Sequence, residues 1–295
     1  MYELIKVSDD CYYIDCPSKI GIIKISDNEV CLIDSGNNKD AGKKVRRILD
    51  SNGWTLKIIL NTHSHGDHIG GNKYLQEQTG CKIYAPGIEC DFTNHTILEP
   101  AFLFGAYPPK ELRHKFLVAD ESYTECLTPE VLPQGIEVIN LKGHFFDMVG
   151  YKKGDVIYLA DCLSSKATLD KYRIGVIYDV KAYLETLENV KNLKARVFIP
   201  SHAESTNDIT ELAQYNIDKV NEICEQILSF CAEPISFEAL LQRLFNEYGL
   251  QMNFEQYALV GSTVKSYLVY LKETGRINAE FEGNMLLWHS IRENI

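Results

Sequence analysis

The chain has 295 residues, room for one large domain or two, and 45 % of them are apolar, enough for a well-buried core. Its formal net charge of −11 works against partners that present a phosphate backbone or an anionic membrane. Nine cysteines, scattered and without a CxxC pair, read as free thiols of a reducing cytosol rather than as a disulfide framework.

The opening stretch "MYELIKVSDDCYYID" alternates apolar and polar residues and lacks the basic and apolar regions of a signal peptide, so it reads as a first strand. No apolar run approaches the length of a membrane span, which sets a cytoplasmic, non-membrane expectation. Strand-type runs follow at "CYYI", "GIIKI" and "EVCLID". "NKDAGKKVRRILDSNG" predicts a helix, with Val45, Ile48 and Leu49 at helical spacing and Asn52-Gly53 as the stop. Its run Lys43, Lys44, Arg46, Arg47 reads as a solvated face. "LKIIL" is a buried-type strand leading into "NTHSHGDHIGG", and a helix ending at Gly80 and the strand "CKIYA" come next. Strands first, then β-α-β units, give an α/β (α+β) class with helices outside sheets.

Residues 86–135 are punctuated by Pro86, Pro100, Pro108, Pro109, Pro129 and Pro133 and carry the aromatic stretch "AFLFGAYPP". Such a segment is a functional lid or a short-helix insertion, and Phe102, Phe104 and Tyr107 are candidates to roof a pocket. Strand signals resume at "GIEVINL", "MVGYKK" and "DVIYLA"; "VKAYLETLENVKNL" is an amphipathic helix and "ARVFIP" a strand. A long helix connects across 206–232. Beyond it, "ISFEALLQRLFNEYG" and "QYALVGSTVKSYLVYLKETG" are helical and "RINAEFEGNMLLWHS" is a hairpin, the element order of a winged-helix module. From Thr206 onward there are 13 Asp/Glu against 6 Lys/Arg. That balance argues against nucleic acid and for packing on the body of the protein or on a second subunit, so a homo-oligomer is admitted.

The stretch from His63 to His68 crowds three imidazoles and a carboxylate together. Such imidazoles repel when protonated and lack partners when neutral; a metal removes both difficulties. His63 and His65, at i and i+2, can face one ion, and Asp67 and His68 can reach a second. His144, Asp161 and His202 each follow a strand signal, where α/β active sites collect.

"THSHGDH" looks like the HxHxDH signature of the metallo-β-lactamase superfamily, and the later "GH", "LAD" and "PSH" follow in that family's order. "LIDSG" matches its early strand-plus-aspartate element, so the resemblance runs over roughly 1–205. It implies a four-layer αββα sandwich with a dinuclear site: His63, His65 and His144 on one metal, Asp67, His68 and His202 on the other, Asp161 bridging. Zinc is the first expectation, and iron or manganese also suit a His-plus-carboxylate set. The bridging aspartate resembles the hydroxyacylglutathione hydrolase and ribonuclease branches rather than the true β-lactamases. Phe145, Phe146 and Asp147 stand where those hydrolases and the lactonases often carry Thr-Pro-Gly. The tail resembles the winged-helix extension of the β-lactamase-like protein 2 group, members of which are linked to RNA cleavage.

The resulting expectation is a catalytic domain over 1–205 with 86–135 as lid or insertion, a connecting helix over 206–232, and a small winged-helix-like domain over 233–295. The implied activity is metal-dependent hydrolysis of a small-molecule ester, thioester or lactone, with Asp67 orienting the nucleophile or taking its proton. A metal-dependent ribonuclease or phosphodiesterase is the alternative, with RNA as substrate. A basic groove at the metals would favour the second, a neutral or acidic mouth the first. Asp34 is expected to brace a ligand, and Gly66, Gly70 and Gly71 to let the loop turn.

Overall fold

In the computed structural model, which describes residues 2–291, the chain begins as an antiparallel meander of β1 (Glu3–Lys6), β2 (Cys11–Asp15), β3 (Ile20–Lys24) and β4 (Glu29–Ile33). α1 (Lys39–Ser51), capped by the Asn38 side chain on Ala41 N, crosses over to β5 (Thr55–Leu60), which lies parallel to β4. α2 (Gly66–Ile69) and α3 (Asn72–Thr79) lead to β6 (Lys82–Ala85), parallel to β5. The proline-rich segment forms α4 (Glu89–Asn94), α5 (Leu98–Phe104), two short 3₁₀ turns and β7 (Glu125–Cys126), which completes a seven-stranded sheet in chain order.

A second, four-stranded sheet follows. β8 (Ile136–Asn140), β9 (Val149–Lys153) and β10 (Val156–Ser164) are antiparallel. α6 (Lys166–Tyr172) and α7 (Val180–Asn192) then bring β11 (Val197–His202) parallel to β10. α8 (Thr210–Phe230), β12 (Ile235–Ser236), α9 (Phe237–Glu247) and α10 (Phe254–Glu273) lead to the hairpin β13 (Ile277–Glu282) and β14 (Met285–Ser290). Gly283 and Asn284, with φ of 54° and 63°, form its two-residue turn, the backbone a tight hairpin needs. α6 and β12 escape the sequence reading because each is too short to establish a period.

Strand alternation sets the layers. Val30 and Leu32 face one side of β4, where they pack with Val45 and Leu49 of α1. Cys31 and Ile33 face the other, against Tyr151, Tyr158 and Ile199 of the second sheet. In β10, Val156 and Tyr158 join that inter-sheet core, while Ile157 and Leu159 face the helices. The result is the expected αββα sandwich. Each buried aliphatic side chain contributes roughly 1.5–3 kcal/mol.

Leu240, Leu244, Val264, Tyr267 and Leu268 of the last two helices share one buried cluster with Leu187 of α7, Ile223 and Ile227 of α8, and the outer face of β10. The carboxy-terminal elements thus pack on the body of the protein through a common core. Among the described residues no helix is long and apolar enough to cross a membrane.

Candidate metal centre

The site is assembled at the strand ends where the two sheets meet. β5 ends in the dry core, and the backbone N–H of Asn61 donates to Tyr84 O at 2.8 Å, so the histidine loop leaves from a held strand end. α2 closes over His65, whose carbonyl accepts from His68 N at 2.9 Å. The glycines of this loop act differently from the expectation. Gly70 and Gly71 have ordinary φ values of −62° and −88°. Their need is room: a Cβ on Gly70 would sit 2.4 Å from Asn37 C, and one on Gly71 2.3 Å from Ser35 O.

His144 comes from the β8–β9 connection and His202 ends β11. Asp161 lies in β10 just after Ala160, whose φ of 49° coincides with shifts in the β10–β11 register. That bulge turns Asp161 off the strand's alternation and into the site.

All seven expected residues converge. Donor atoms of His63, His65, His144 and Asp161 lie within 4.8 Å of one another, and so do those of Asp67, His68 and His202. His63 Nε2 and His144 Nε2 each stand 3.1 Å from His65 Nδ1. Asp161 sits between the groups: its Oδ2 is 3.1 Å from His202 Nε2 and 3.7 Å from His144 Nε2, its Oδ1 3.1 Å from His68 Nε2.

The outer nitrogens are already used. His63 Nδ1 donates to Thr62 Oγ1 (3.0 Å), whose own proton goes to Asp34 Oδ2 (2.8 Å). His144 Nδ1 donates to Val176 O (2.9 Å), His68 Nδ1 to Asp34 Oδ2 (2.8 Å) and His202 Nδ1 to Pro17 O (3.0 Å). Asp34 is therefore the brace expected of it, and its φ of 63° shows the backbone strain held there. With these tautomers, the inner nitrogens of His63 and His144 are lone pairs, both facing His65 Nδ1. His68 Nε2 and Asp161 Oδ1 are buried and, despite their 3.1 Å separation, make no hydrogen bond of acceptable angle. A cation in each group satisfies every one of these atoms, so the donor set fits a pair of divalent metals.

Electrostatics divide the site. Burial, reinforced by neighbouring imidazoles, pushes His63 well below the usual range and His65 down to about 3; burial also lowers His144. The Asp161 carboxylate raises His202 to about 10. For His68 burial opposes charge, but Asp161, Asp67 and Asp34 overrule it and hold the ring well above its ordinary value. Burial likewise works to raise Asp161 and Asp67, and the facing His68 and His202 pull both carboxyls far down. Ser18 Oγ donates to Asp67 Oδ2 at 2.5 Å.

A cavity of about 860 Å³ opens over His144, Asp161 and His202. Its walls are Thr168 and Tyr172 of α6 and Glu255, Gln256 and Leu259 of α10. Apart from the candidate ligands, its charged residues are Asp15, Glu204, Glu255 and a single lysine, Lys19, which is spent on Ala203 O (2.7 Å) and Asp15 (3.7 Å). The mouth is acidic. Phe102, Phe104 and Tyr107 line no part of this cavity, so of the two readings of their segment the short-helix insertion fits and the roof does not. Phe102 packs with Phe92, Phe145 and Phe146, Phe104 packs beside Leu103 and Leu112, and Tyr107 is 72 % exposed.

Two buried carboxyls escape the sequence reading. Glu99 Oε1 faces His65 Nε2 at 3.8 Å, and burial raises it well above the carboxylate range. Glu89 accepts hydrogen bonds from Ser64 and Asp147. Both lie in the insertion, where nothing in local spacing marks an acid that turns inward. His95, His114 and His289 belong to neither donor group. Cys162 is fully buried beside Asp161. The lysines and arginines of α1 face solvent, with Lys43 on Asp40 and Arg46 on Asp50.

Comparison with known proteins agrees with this geometry. The model of the metallo-beta-lactamase superfamily matches residues 13–202. A hydroxyacylglutathione hydrolase of Methylococcus capsulatus is 54 % identical over 39 residues, 13 % of this chain and 15 % of that protein. One of Pelagibacter ubique is 40 % identical over 62 residues, 21 % and 24 % of the two chains. The matches therefore span no more than a quarter of these relatives. Among solved structures, a beta-lactamase domain protein from Burkholderia ambifaria superposes with TM-score 0.77 over 98 % of this chain and 94 % of its own, at 16 % identity. A metallo-beta-lactamase family protein from Thermus thermophilus gives 0.71 over 99 % and 98 %, also at 16 % identity. These two likenesses are of fold, and they extend through the carboxy-terminal helices.

Proposed function

This chain belongs to the metallo-β-lactamase superfamily, and from that premise we propose that it is a dinuclear metal hydrolase acting on a small-molecule ester, thioester or lactone. His63 Nε2, His65 Nδ1 and His144 Nε2 would hold one divalent cation; Asp67, His68 and His202 the other; Asp161 would serve both. Zinc is the first choice, with iron or manganese compatible. Bound there, the cations supply Lewis acidity toward a carbonyl and make a water molecule more acidic.

The protein's own groups do the rest. Asp34 and Thr62 fix the rings of His68 and His63, so the donor atoms need no reorganisation. Asp67 Oδ2, oriented by Ser18, stands at the rim of the second group, where it can orient the attacking water and accept its proton. The walls from α6 and α10 exclude bulk water and hold the acyl portion.

The observation that carries the small-molecule reading is the acidic mouth, with Asp15, Glu204 and Glu255 against one committed lysine. A polyanion would be repelled there. The short matches to hydroxyacylglutathione hydrolases support a thioester within this class. Nine cysteines without a disulfide support a cytoplasmic setting. The test is a screen of purified protein against thioesters, lactones, nitrocefin, phosphodiesters and RNA, with elemental analysis in parallel. Chelator-sensitive cleavage of carboxylic substrates is expected; cleavage of RNA with inert thioesters and lactones overturns the reading in favour of a nuclease.

A further inference from the structure

Glu89 stands in the first turn of α4 with a side chain that is 0 % exposed. Its Oε2 accepts the backbone N–H of Ser64 at 3.0 Å and the Ser64 hydroxyl at 2.6 Å. Its Oε1 accepts the backbone N–H of Asp147 at 2.9 Å. Ser64 separates His63 from His65, and Asp147 lies three residues beyond His144. One carboxylate thus spans the two loops that carry the three imidazoles of the first donor group.

The surroundings are shaped to this contact. Ile88 N donates to Asp147 Oδ2 at 3.1 Å, and Lys142 Nζ pairs with Asp147 Oδ1 at 2.7 Å. A Cβ on Gly87, whose φ is +46°, would fall 2.1 Å from Asp147 Oδ2, so only glycine admits the approach. Phe92 of α4 lies 5.3 Å from both Phe145 and Phe146, the residues between His144 and Asp147. Burying a carboxylate is costly, and burial does push Glu89 up to about 7 despite its three donors. A group kept at that cost, and bonded to nothing but the two ligand loops, has its work there.

We propose that Glu89 is a positioning residue for the His63–His65–His144 group: by accepting from Ser64 and Asp147 together it fixes the separation of the two loops, and with it the affinity and geometry of the first cation. The inference rests on the dinuclear reading above. It also accounts for Asp147 where related hydrolases often carry glycine, since a side chain there is needed to engage α4.

The test uses the full chain, stripped of metal and titrated with Zn²⁺ against a competing chelator, and with Co²⁺ for its visible spectrum. Glu89→Gln keeps the shape but sets an amide N–H₂ against donors on one side. One of two zinc equivalents should weaken by about 10–100-fold and the Co²⁺ bands of that site should shift, while the other equivalent holds. Ser64→Ala should move the same equivalent in the same direction by less. Wild-type zinc binding and Co²⁺ spectra in Glu89→Gln and Ser64→Ala overturn the proposal, and if Glu89→Gln does not fold, Ser64→Ala decides alone. A wild-type chain that takes up no zinc, cobalt, iron or manganese overturns instead the dinuclear reading beneath it.

Discussion

The hydroxyl of Tyr151 donates to the carbonyl of Asn61 across 2.9 Å, joining β9 of one sheet to the residue at which the histidine loop leaves the other. Both residues are fully buried. Tyr151→Phe removes that donor and leaves a carbonyl in a dry core, so unfolding in urea should show a loss of about 1–3 kcal/mol with the fold intact. Stability equal to wild type would mean that the sheets are not tied at this point.

Asp161 is the one carboxylate shared by the two donor groups. Asp161→Ala should lower metal content and turnover together, with turnover falling on the order of a hundredfold or more. Elemental analysis beside a rate assay checks this; full activity at unchanged metal content contradicts it.

Asp34 accepts from Thr62 N, Thr62 Oγ1 and His68 Nδ1. Asp34→Asn tolerates the left-handed backbone but places an N–H₂ against one of these donors. Metal affinity should drop by about 10–100-fold, and the metal-free protein should lose about 1–3 kcal/mol because a buried donor loses its acceptor. Asp34→Ala should lose more of both, since alanine adds backbone strain. Equal affinity in the two variants and wild type would remove the brace from the account.

Loading should release protons. In the metal-free protein His202 stands near 10 because of Asp161, and His68 lies well above its ordinary value, so both rings are protonated at neutral pH. Ligation needs them neutral. Apparent affinity should therefore climb with pH, by up to about tenfold per unit for each proton displaced, and level off for His202 above about 10. The metal-free fold has the opposite sign: the His202 contribution is complete below 6.5 and lost as pH passes 10. Calorimetric zinc titrations in buffers of different ionisation enthalpy read this directly; a pH-independent affinity contradicts it.

Ending the chain near Ala232 would uncover Ile223 and Ile227, which pack against Leu240, Val264 and Tyr267. Several aliphatic burials at roughly 1.5–3 kcal/mol each would be lost, so light scattering should show aggregation. A soluble truncated chain with native melting behaviour would refute the shared core.

What the chain discloses on reading depends on how far apart the interacting residues lie. His63 to His68 announce themselves because chemistry is concentrated within six residues of backbone, whereas β4 and β10 are buried on both faces, and the layers follow from the family resemblance rather than from any alternation. Glu89, Glu99 and Ser18 are silent: each meets its partner through the fold, Ser18 across 49 residues to Asp67, and no local period marks them. The aromatic residues of the irregular segment leave a lid and a packed insertion equally open on reading, and only the fold shows Phe102 joining a side cluster with Phe145 and Phe146 while Tyr107 stays exposed. The true wall comes from α10, more than fifty residues beyond the last metal-binding candidate, and only the tertiary path brings it there.

That path separates two inheritances. Every donor atom of the cage lies at or before His202, while Glu255, Gln256 and Leu259, which face the same cavity, belong to the distal helices. Substitutions within one turn of α10 can therefore reshape one wall of the cavity while every donor atom of the cage stays where it is.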